Sequence, residues 1–408
     1  SLPNAPYMEY YHYLEDRDLI LFEQRGNFYA KPSLNCPEWV KANNKVNVLQ
    51  LSDKITEAEA QAFLSEAALS CRDRLTKKGI DLNSYRTEVI AADMEDLRLV
   101  LGIDQWNLLT VSYSTKIAQI MMRDYPEGIR SVVLDSPMRL DIRYDEKSNE
   151  NMLSAIQLML DDCQKNQDCS TAFPNLGERL FTYLEKVTLE PLVLNITDPI
   201  KGDEQTFYLR GKDLIELLAA GYTGDVPMLP AQIEAFLQGD MSTVESYLAS
   251  LLQNYHKGNP IGSGIGMRLS VWCAEEMAHT DPSVLRAETE KYQSIKGRRP
   301  ETYSAETCDI WSVEAVNEEL LVPIQSEIPT LFISGSYDDL TPSYWVPEMM
   351  ENMPNSYHLV FEGWKHTPIF YWDNSCAMQA ARAFFNDPQS RPSPDCLSQL
   401  SKPEFISQ

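Results

Sequence analysis

Three side chains that lie far apart in the sequence could together carry out nucleophilic acyl transfer. Ser112 follows the apolar run "WNLLTV" (106–111) and precedes a stretch with helical spacing, which is the setting of a nucleophile elbow. Asp338 and His366 each occupy a loop after a later apolar run. A serine hydroxyl becomes a nucleophile when a histidine takes its proton and a carboxylate orients that histidine. We therefore take Ser112, His366 and Asp338 as candidate nucleophile, base and acid.

The pattern around Ser112 departs from the usual elbow, G-x-S-x-G. Thr110 and Ser114 replace the two glycines, which normally avoid clashes in a strained turn. Both residues are small, but each carries a Cβ. The local pattern therefore leaves a second interpretation open, in which Ser112 is only the N-cap of the following helix.

The acid and the base also have competitors. Asp339 is adjacent to Asp338, and Asp135 ends an earlier predicted strand. Two histidines follow Asp338 in the chain. His358 falls within a predicted strand, where a packed side chain is expected, whereas His366 lies in the loop beyond and can reach a neighbouring elbow. The sequence favours His366 as the base.

Composition narrows the class of protein. The chain has 408 residues and a net charge of -25, with 43% apolar and 23% charged residues. So acidic a surface repels nucleic acid and anionic membranes, and we expect neither as a partner. It could attract cationic substrates, or it could serve only solubility. No apolar run reaches the length of a membrane span.

Cysteine usage indicates the compartment. The chain has eight cysteines and no C-x-x-C pair, so neither zinc nor a redox motif is expected. An even number spread through a large chain favours disulfides and an oxidising compartment. The alternative is a set of buried free thiols in a cytosolic protein. Spacing alone leaves the connectivity open.

Strand and helix patterns alternate in the first third of the chain. The apolar runs predict strands at 18–24, in "DLILFEQRG", at 106–111 and at 131–135. The helical spacings between them predict helices at 55–78, 87–101 and 114–123. This alternation is typical of the α/β class with a mostly parallel, doubly wound sheet.

The pattern changes near residue 144. Amphipathic helices dominate the next stretch, which also contains one predicted strand at 191–196. The helices are predicted at 150–164, 176–186, 212–220, 230–237, 241–256 and 284–293. Strand-and-loop segments return at 328–342 and 356–368, before a last helix at 375–385. We therefore divide the chain into a core (1–143), a helical cap (144–325) and a second part of the core (326–408).

Four segments resemble one family. "FEQRGNFYAKPSLNC", "NLLTVSYSTKIAQIMMRDYPEGIRSVVLDSP", "PTLFISGSYDDLTP" and "GWKHTP" with the cysteines after it look like the secreted tripeptidyl-aminopeptidase-like branch of the α/β hydrolases, related to proline iminopeptidases. The resemblance implies Ser112, Asp338 and His366 as the catalytic triad. It also implies the backbone N–H of Tyr113 as an oxyanion donor, and the insertion as a cap over the active site.

The same resemblance implies further residue roles. In peptidases of this family a cap glutamate binds the free amine of the substrate, and the matching stretch "WCAEEMA" points to Glu275, with Glu276 as its neighbour. The alternative for both is an exposed helix face. The resemblance also implies four disulfides: Cys36–Cys71, Cys163–Cys169, Cys273–Cys308 and Cys376–Cys396.

One departure from the family concerns the front of the chain. The run at 18–26 resembles the fourth strand of the fold, so the first strands and the glycine-rich loop with a second oxyanion donor would precede Ser1. We expect them on an N-terminal fragment of the same precursor.

These residues and the family resemblance together predict a secreted or cell-surface serine hydrolase that needs no metal or organic cofactor. The leading expectation is an exopeptidase that releases short peptides or single residues from free N-termini. An esterase or lactonase on the same triad is the second expectation, because both reactions transfer an acyl group to serine. A binding protein that keeps the fold without catalysis is the third.

Overall fold

The computed structural model describes residues 13–221, 226–257, 264–371, 375–400, 402 and 404–406. The strands are β1 (Trp106–Val111), β2 (Ile129–Asp135), β3 (Leu192–Thr197), β4 (Glu204–Leu209), β5 (Thr330–Gly335) and β6 (Ser356–Phe361). The helices are α1 (Pro37–Leu51), α2 (Glu57–Thr76), α3 (Thr87–Val100), α4 (Ser114–Asp124), α5 (Tyr144–Lys165), α6 (Gln167–Ala172), α7 (Leu176–Leu189), α8 (Gly211–Gly221), α9 (Leu229–Leu237), α10 (Ser242–Lys257), α11 (Ile265–Glu275), α12 (Pro282–Lys291), α13 (Ala305–Trp311), α14 (Val346–Met350) and α15 (Cys376–Asn386).

The central sheet is parallel, with strand order β1-β2-β5-β6. All six residues of β5 are buried, as a parallel sheet covered on both faces requires. Successive side chains of β2 point to opposite layers: Val132 and Leu134 join one core cluster, and Val133 joins another. Because the strands run in one direction, the loops that follow them meet at one edge of the sheet.

The segment between β2 and β5 is mostly helical and carries its own hydrophobic core. That core draws on α5, α7, α9 and α10 and on the antiparallel hairpin β3–β4. The predicted strand at 191–196 forms as β3, whereas β4 and the helices α6, α11 and α13 of this segment were not predicted. None of the helices in the described part of the chain combines the length and apolarity of a membrane span.

The predicted strand at 18–24 does not form. These residues adopt no regular structure, and Ile20 and Leu21 are each 39% exposed. A strand needs a hydrogen-bonding neighbour, and within the described residues β1 pairs only with β2. Within the described residues the apolar run pairs with no strand. Only Gly26, just beyond it, forms an isolated bridge, with Ser33.

All eight cysteines form disulfides, in the pairing that the resemblance implies. Cys36–Cys71 ties the start of α1 to α2, and Cys273–Cys308 ties α11 to α13. The two remaining bonds close shorter segments, with sequence separations of 6 for Cys163–Cys169 and 20 for Cys376–Cys396.

Removal of a disulfide should cost more stability where the closed loop is longer. The Cys273→Ala/Cys308→Ala variant opens a loop with a sequence separation of 35 and should lose about 4 kcal/mol of unfolding free energy. The Cys163→Ala/Cys169→Ala variant, with a separation of 6, should lose about 2 kcal/mol. Urea unfolding of both variants measures the difference, and the reverse order would contradict it.

Candidate active site

Ser112 occupies a strained turn between β1 and α4. Its φ is +52°, a left-handed conformation that is uncommon for a residue with a side chain. The turn is fixed to the sheet, because the Ser112 N–H donates to the carbonyl of Asp135 at 2.9 Å. Strain of this kind persists only where the surroundings determine it, and it is concentrated at functional sites.

The two residues that replace the elbow glycines each use their hydroxyl to hold the turn. The Ser114 Oγ accepts the N–H of Val111 at 2.9 Å and donates to its carbonyl at 2.7 Å. The Thr110 hydroxyl donates to the carbonyl of Val133 at 3.0 Å, on the adjacent strand. The Cβ atoms are therefore accommodated, and the hydroxyls pin the elbow to its own strand and to β2.

His366 and Asp338 form a buried pair at the ends of β6 and β5. The His366 Nδ1 lies 2.9 Å from Asp338 Oδ2 and 3.0 Å from Oδ1. The Asp338 side chain is fully buried and that of His366 is 19% exposed. Burial alone would lower the pKa of His366, but the Asp338 carboxylate outweighs it and raises that pKa.

The Asp338 carboxylate has every other lone pair occupied as well. Oδ1 accepts the N–H groups of Leu340 at 2.9 Å and Thr341 at 2.8 Å, and Oδ2 accepts the Thr341 hydroxyl at 2.9 Å. Four donors, counting His366, hold the anion in one orientation. A buried carboxylate needs such a set, because each unsatisfied oxygen would carry its full desolvation cost.

The loop that carries Asp338 approaches the loop that carries His366 closely at Gly335. A Cβ at Gly335 would lie 2.3 Å from the carbonyl oxygen of Trp364 and 2.2 Å from that of Lys365. Only glycine permits this backbone approach. Gly335 is therefore a condition for the contact between His366 and Asp338.

Asp135, one of the competing acids, binds the backbone of the loop that carries His366. Its Oδ2 accepts the Ile369 N–H at 2.9 Å, and the neighbouring Ser136 Oγ accepts the Thr367 N–H at 2.8 Å. Ser136 and Thr367 both have positive φ, of 52° and 59°. Burial raises the pKa of Asp135 to about 7. Asp135 contacts the backbone of the loop, and the histidine ring contacts Asp338.

The other two competing residues, His358 and Asp339, take no part in the contact between His366 and Asp338. His358 lies on β6, its Nε2 is 3.1 Å from the Ser334 Oγ, and burial lowers its pKa to about 4. Asp339 is partly buried, and burial raises its pKa to about 6. No hydrogen bond joins Asp339 to His366 in the described structure.

Tyr113 contributes to the site through two different groups. Its backbone N–H stands at the start of α4 and donates no hydrogen bond within the described residues, so it is available to a ligand. Its hydroxyl lies 2.9 Å from Thr87 Oγ1. The oxyanion role expected for the N–H stays a prediction.

Glu275 and Glu276 are both buried and both have partners within the protein. Glu275 accepts the Thr87 N–H and hydroxyl, each at 2.7 Å, and so caps the start of α3. Glu276 forms an ion pair with Lys116 and accepts the Tyr144 N–H at 3.1 Å. The alternative of an exposed helix face is wrong, since the residues are 4% and 1% exposed. The amine-binding role stays a prediction, and neither glutamate lines the cavity at Ser112.

A cavity of about 330 Å³ opens at Ser112. Its wall is largely apolar, with Met138, Met267, Val271, Trp272 and Leu340. Its polar lining includes Asn27, Thr341 and Arg268 together with the elbow. Within the described residues the Ser112 side chain makes no hydrogen bond. The contact with His366 Nε2 expected from the sequence therefore stays a prediction, and such contacts commonly tighten when substrate binds.

Sequence reasoning missed Arg268 and Thr341. Thr341 follows Asp338 by three residues, and a hydroxyl at that spacing is a local signal for a bound carboxylate. Arg268 lies on α11, one helical turn before Trp272 and the segment "WCAEEMA". The helical pattern of that segment was not recognised, so the cavity face of α11 could not be derived.

Comparisons with known proteins identify families and relatives that this chain resembles. A family described as "alpha/beta hydrolase fold" matches residues 8–169, and one described as "TAP-like protein" matches residues 298–396. The serine protease Hip1 of Mycobacterium tuberculosis is 22% identical over 90% of this chain and 72% of Hip1. A proline iminopeptidase of Lactobacillus delbrueckii subsp. bulgaricus is 27% identical over 22% of this chain and 32% of that protein.

A solved epoxide hydrolase from Bacillus megaterium has 14% identity and a TM-score of 0.31, over 75% of this chain and 77% of that one. The parallel sheet, the elbow after β1 and the first family match define the chain as an α/β hydrolase of the serine hydrolase class. The match to the TAP-like family over residues 298–396 and the similarity to Hip1 support a place in the TAP-like branch of that superfamily.

Removal of only one member of the Lys116–Glu276 ion pair should destabilise the protein more than replacement of both. Both residues are 1% exposed, so Lys116→Met leaves an uncompensated buried carboxylate and should cost about 3–5 kcal/mol of unfolding free energy. Lys116→Met combined with Glu276→Gln should recover much of that loss in urea unfolding.

The matched control for this pair is Lys147→Met. Lys147 pairs with Glu150 at 3.1 Å on the surface, where the two side chains are 47% and 39% exposed. Its loss should change stability by less than about 1 kcal/mol. Equal effects of Lys116→Met and Lys147→Met would show that burial does not set the cost.

Proposed function

We propose that the protein is a secreted serine exopeptidase that cleaves short peptides or single residues from free N-termini, with Ser112, His366 and Asp338 as its triad. The contact between His366 Nδ1 and Asp338 is the observation that carries the proposal. The strained conformation of Ser112 and its place in the cavity lining support it.

The proposed reaction has two steps. His366 takes the Ser112 proton as the hydroxyl attacks the substrate carbonyl, and then gives that proton to the leaving amine. Asp338 holds the imidazole in one orientation and stabilises its charged form. The Tyr113 N–H would donate to the developing oxyanion. Water then attacks the acyl-enzyme by the same route, which releases the acyl product and restores Ser112.

Peptide substrates are supported by the relatives, since one is called a serine protease and another a proline iminopeptidase. For the substrate's free amine, Glu275 is the proposed acceptor, with Glu276 beside it. Each would have to exchange a present partner, Thr87 or Lys116, for the amine. Four disulfides support a secreted or cell-surface location.

An esterase or lactonase is the second candidate. It is favoured by the apolar wall of the cavity and by the engagement of both glutamates within the protein. An aminoacyl arylamide with a free N-terminus, compared with its N-blocked form and with an acyl ester, separates the two. A clear preference for the free amine supports the exopeptidase, and faster turnover of the ester and the blocked form supports the esterase.

Replacement of Ser112 by Ala should abolish turnover without unfolding the protein. The expected loss in kcat is about 10⁴-fold or more, because the nucleophile is gone while the cavity remains. A fluorophosphonate probe should label the wild type and not Ser112→Ala. The matched control is Ser390→Ala, an exposed serine that does not line the cavity and should keep its label. Label on Ser112→Ala would refute the assignment.

The pH profile should report His366. The base must be neutral, so kcat/KM should fall as pH falls through the pKa of His366. Its pKa is raised, so the midpoint should lie above about 6.5. Asp338→Asn removes the carboxylate that raises this pKa, and should both lower the midpoint and reduce kcat by orders of magnitude. An unchanged midpoint in Asp338→Asn would contradict the proposed pairing.

A further inference from the structure

Arg268 is the charged member of the cavity lining. The lining side chains found among the described residues are otherwise apolar, aromatic or neutral polar, and none is a carboxylate. Arg268 projects from α11, the helix that also supplies Met267, Val271 and Trp272 to the same wall. Among the described residues, the cavity lining at Ser112 therefore holds a cation and no carboxylate to neutralise it.

The guanidinium of Arg268 has no ion pair or side-chain hydrogen bond within the described residues. Its contact there is with the Trp272 ring, whose centroid lies 5.3 Å from Arg268 Cζ. The chain just before α11, residues 258–263, reads Gly-Asn-Pro-Ile-Gly-Ser and contains no acid. Most arginines of known partner in this protein bind a carboxylate, as Arg25 does with Asp93 and Arg179 with Glu234.

The acid that contacts Trp272, Asp145, already has partners within the protein. The Asp145 Oδ2 accepts the Trp272 indole N–H at 2.9 Å, and its Oδ1 accepts the Thr302 hydroxyl at 3.0 Å. The hydrogen bond to Asp145 fixes the orientation of Trp272, and the guanidinium of Arg268 packs against the Trp272 ring. A ring contact leaves the N–H donors of the guanidinium unused, and their fork geometry matches a carboxylate.

We propose that Arg268 binds a carboxylate of the substrate and so determines specificity at the active site. This inference rests on the proposed function, since it takes the cavity at Ser112 as the place where substrate binds. Two sources could supply the carboxylate: an Asp or Glu side chain on the residue whose carbonyl is attacked, or the terminal carboxylate of a short leaving peptide. Both present the same planar anion to the same fork.

The test compares ratios of kcat/KM for matched substrates. The first arm uses arylamides that differ only in Glu or Gln at the residue attacked. The second arm uses short peptides with a free or an amidated C-terminus. The wild type should prefer the carboxylate in one arm by about five- to tenfold, the range of a charge-assisted contact that is partly open to water. The arm that shows the preference identifies the source.

Arg268→Gln should bring that ratio close to one, and Arg268→Lys should retain only part of it, because lysine keeps the charge and loses the fork. Arg286→Gln removes the same charge from an exposed position on α12 that does not line the cavity, and should keep the wild-type ratio. A wild type without preference in either arm, or an Arg268→Gln variant with an unchanged ratio, would overturn the inference.

Fluorophosphonate labelling separates this inference from the proposed function. If wild type and Arg268→Gln both label and Ser112→Ala does not, the serine hydrolase assignment stands, and the ratios alone decide the role of Arg268. If the wild type fails to label, the proposed function falls and the inference falls with it.

Discussion

The arrangement of the site depends on the fully buried Asp338 carboxylate. An anion removed from water must have its lone pairs occupied, and here two backbone N–H groups, one hydroxyl and one imidazole occupy them. The imidazole reaches the carboxylate because Gly335 lets two loop backbones approach more closely than a Cβ would allow. Asp135 and Ser136 then hold the histidine loop through its own N–H groups. The orientation of His366 therefore follows from contacts made by β2 and β5.

The elbow shows how a sequence departure can be absorbed. Glycines serve in such turns because they add no atoms, whereas Thr110 and Ser114 add hydroxyls that find backbone partners on the elbow and on β2. The turn keeps its strained φ at Ser112. Glycine permits an unusual backbone conformation in such a turn. The hydroxyls of Thr110 and Ser114 instead restrict the turn, because their hydrogen bonds disfavour alternative conformations.

Most of the core could be predicted from the sequence because its strands are short apolar runs that end in loops, and β5 and β6 lie within the predicted segments 328–342 and 356–368. The strand at 18–24 was wrong because an apolar run does not say whether a neighbour exists to pair with. The partners of Glu275 and Glu276 could not be derived either. Thr87 and Lys116 lie 188 and 160 residues away in the chain, and only the fold brings them together.

Charge acts on two length scales in this protein. The net charge of -25 repels an anionic substrate at a distance, but at physiological ionic strength that field is screened within about 8 Å of the surface. Arg268 acts at contact distance, inside a cavity whose described lining holds no acid. A carboxylate that reaches the cavity thus meets a cation already oriented by Trp272. The acidic surface sets how often such a substrate arrives, whereas the fork of Arg268 sets how it is held at Ser112. Surface composition alone, which suggests cationic substrates, therefore does not determine the specificity of the site.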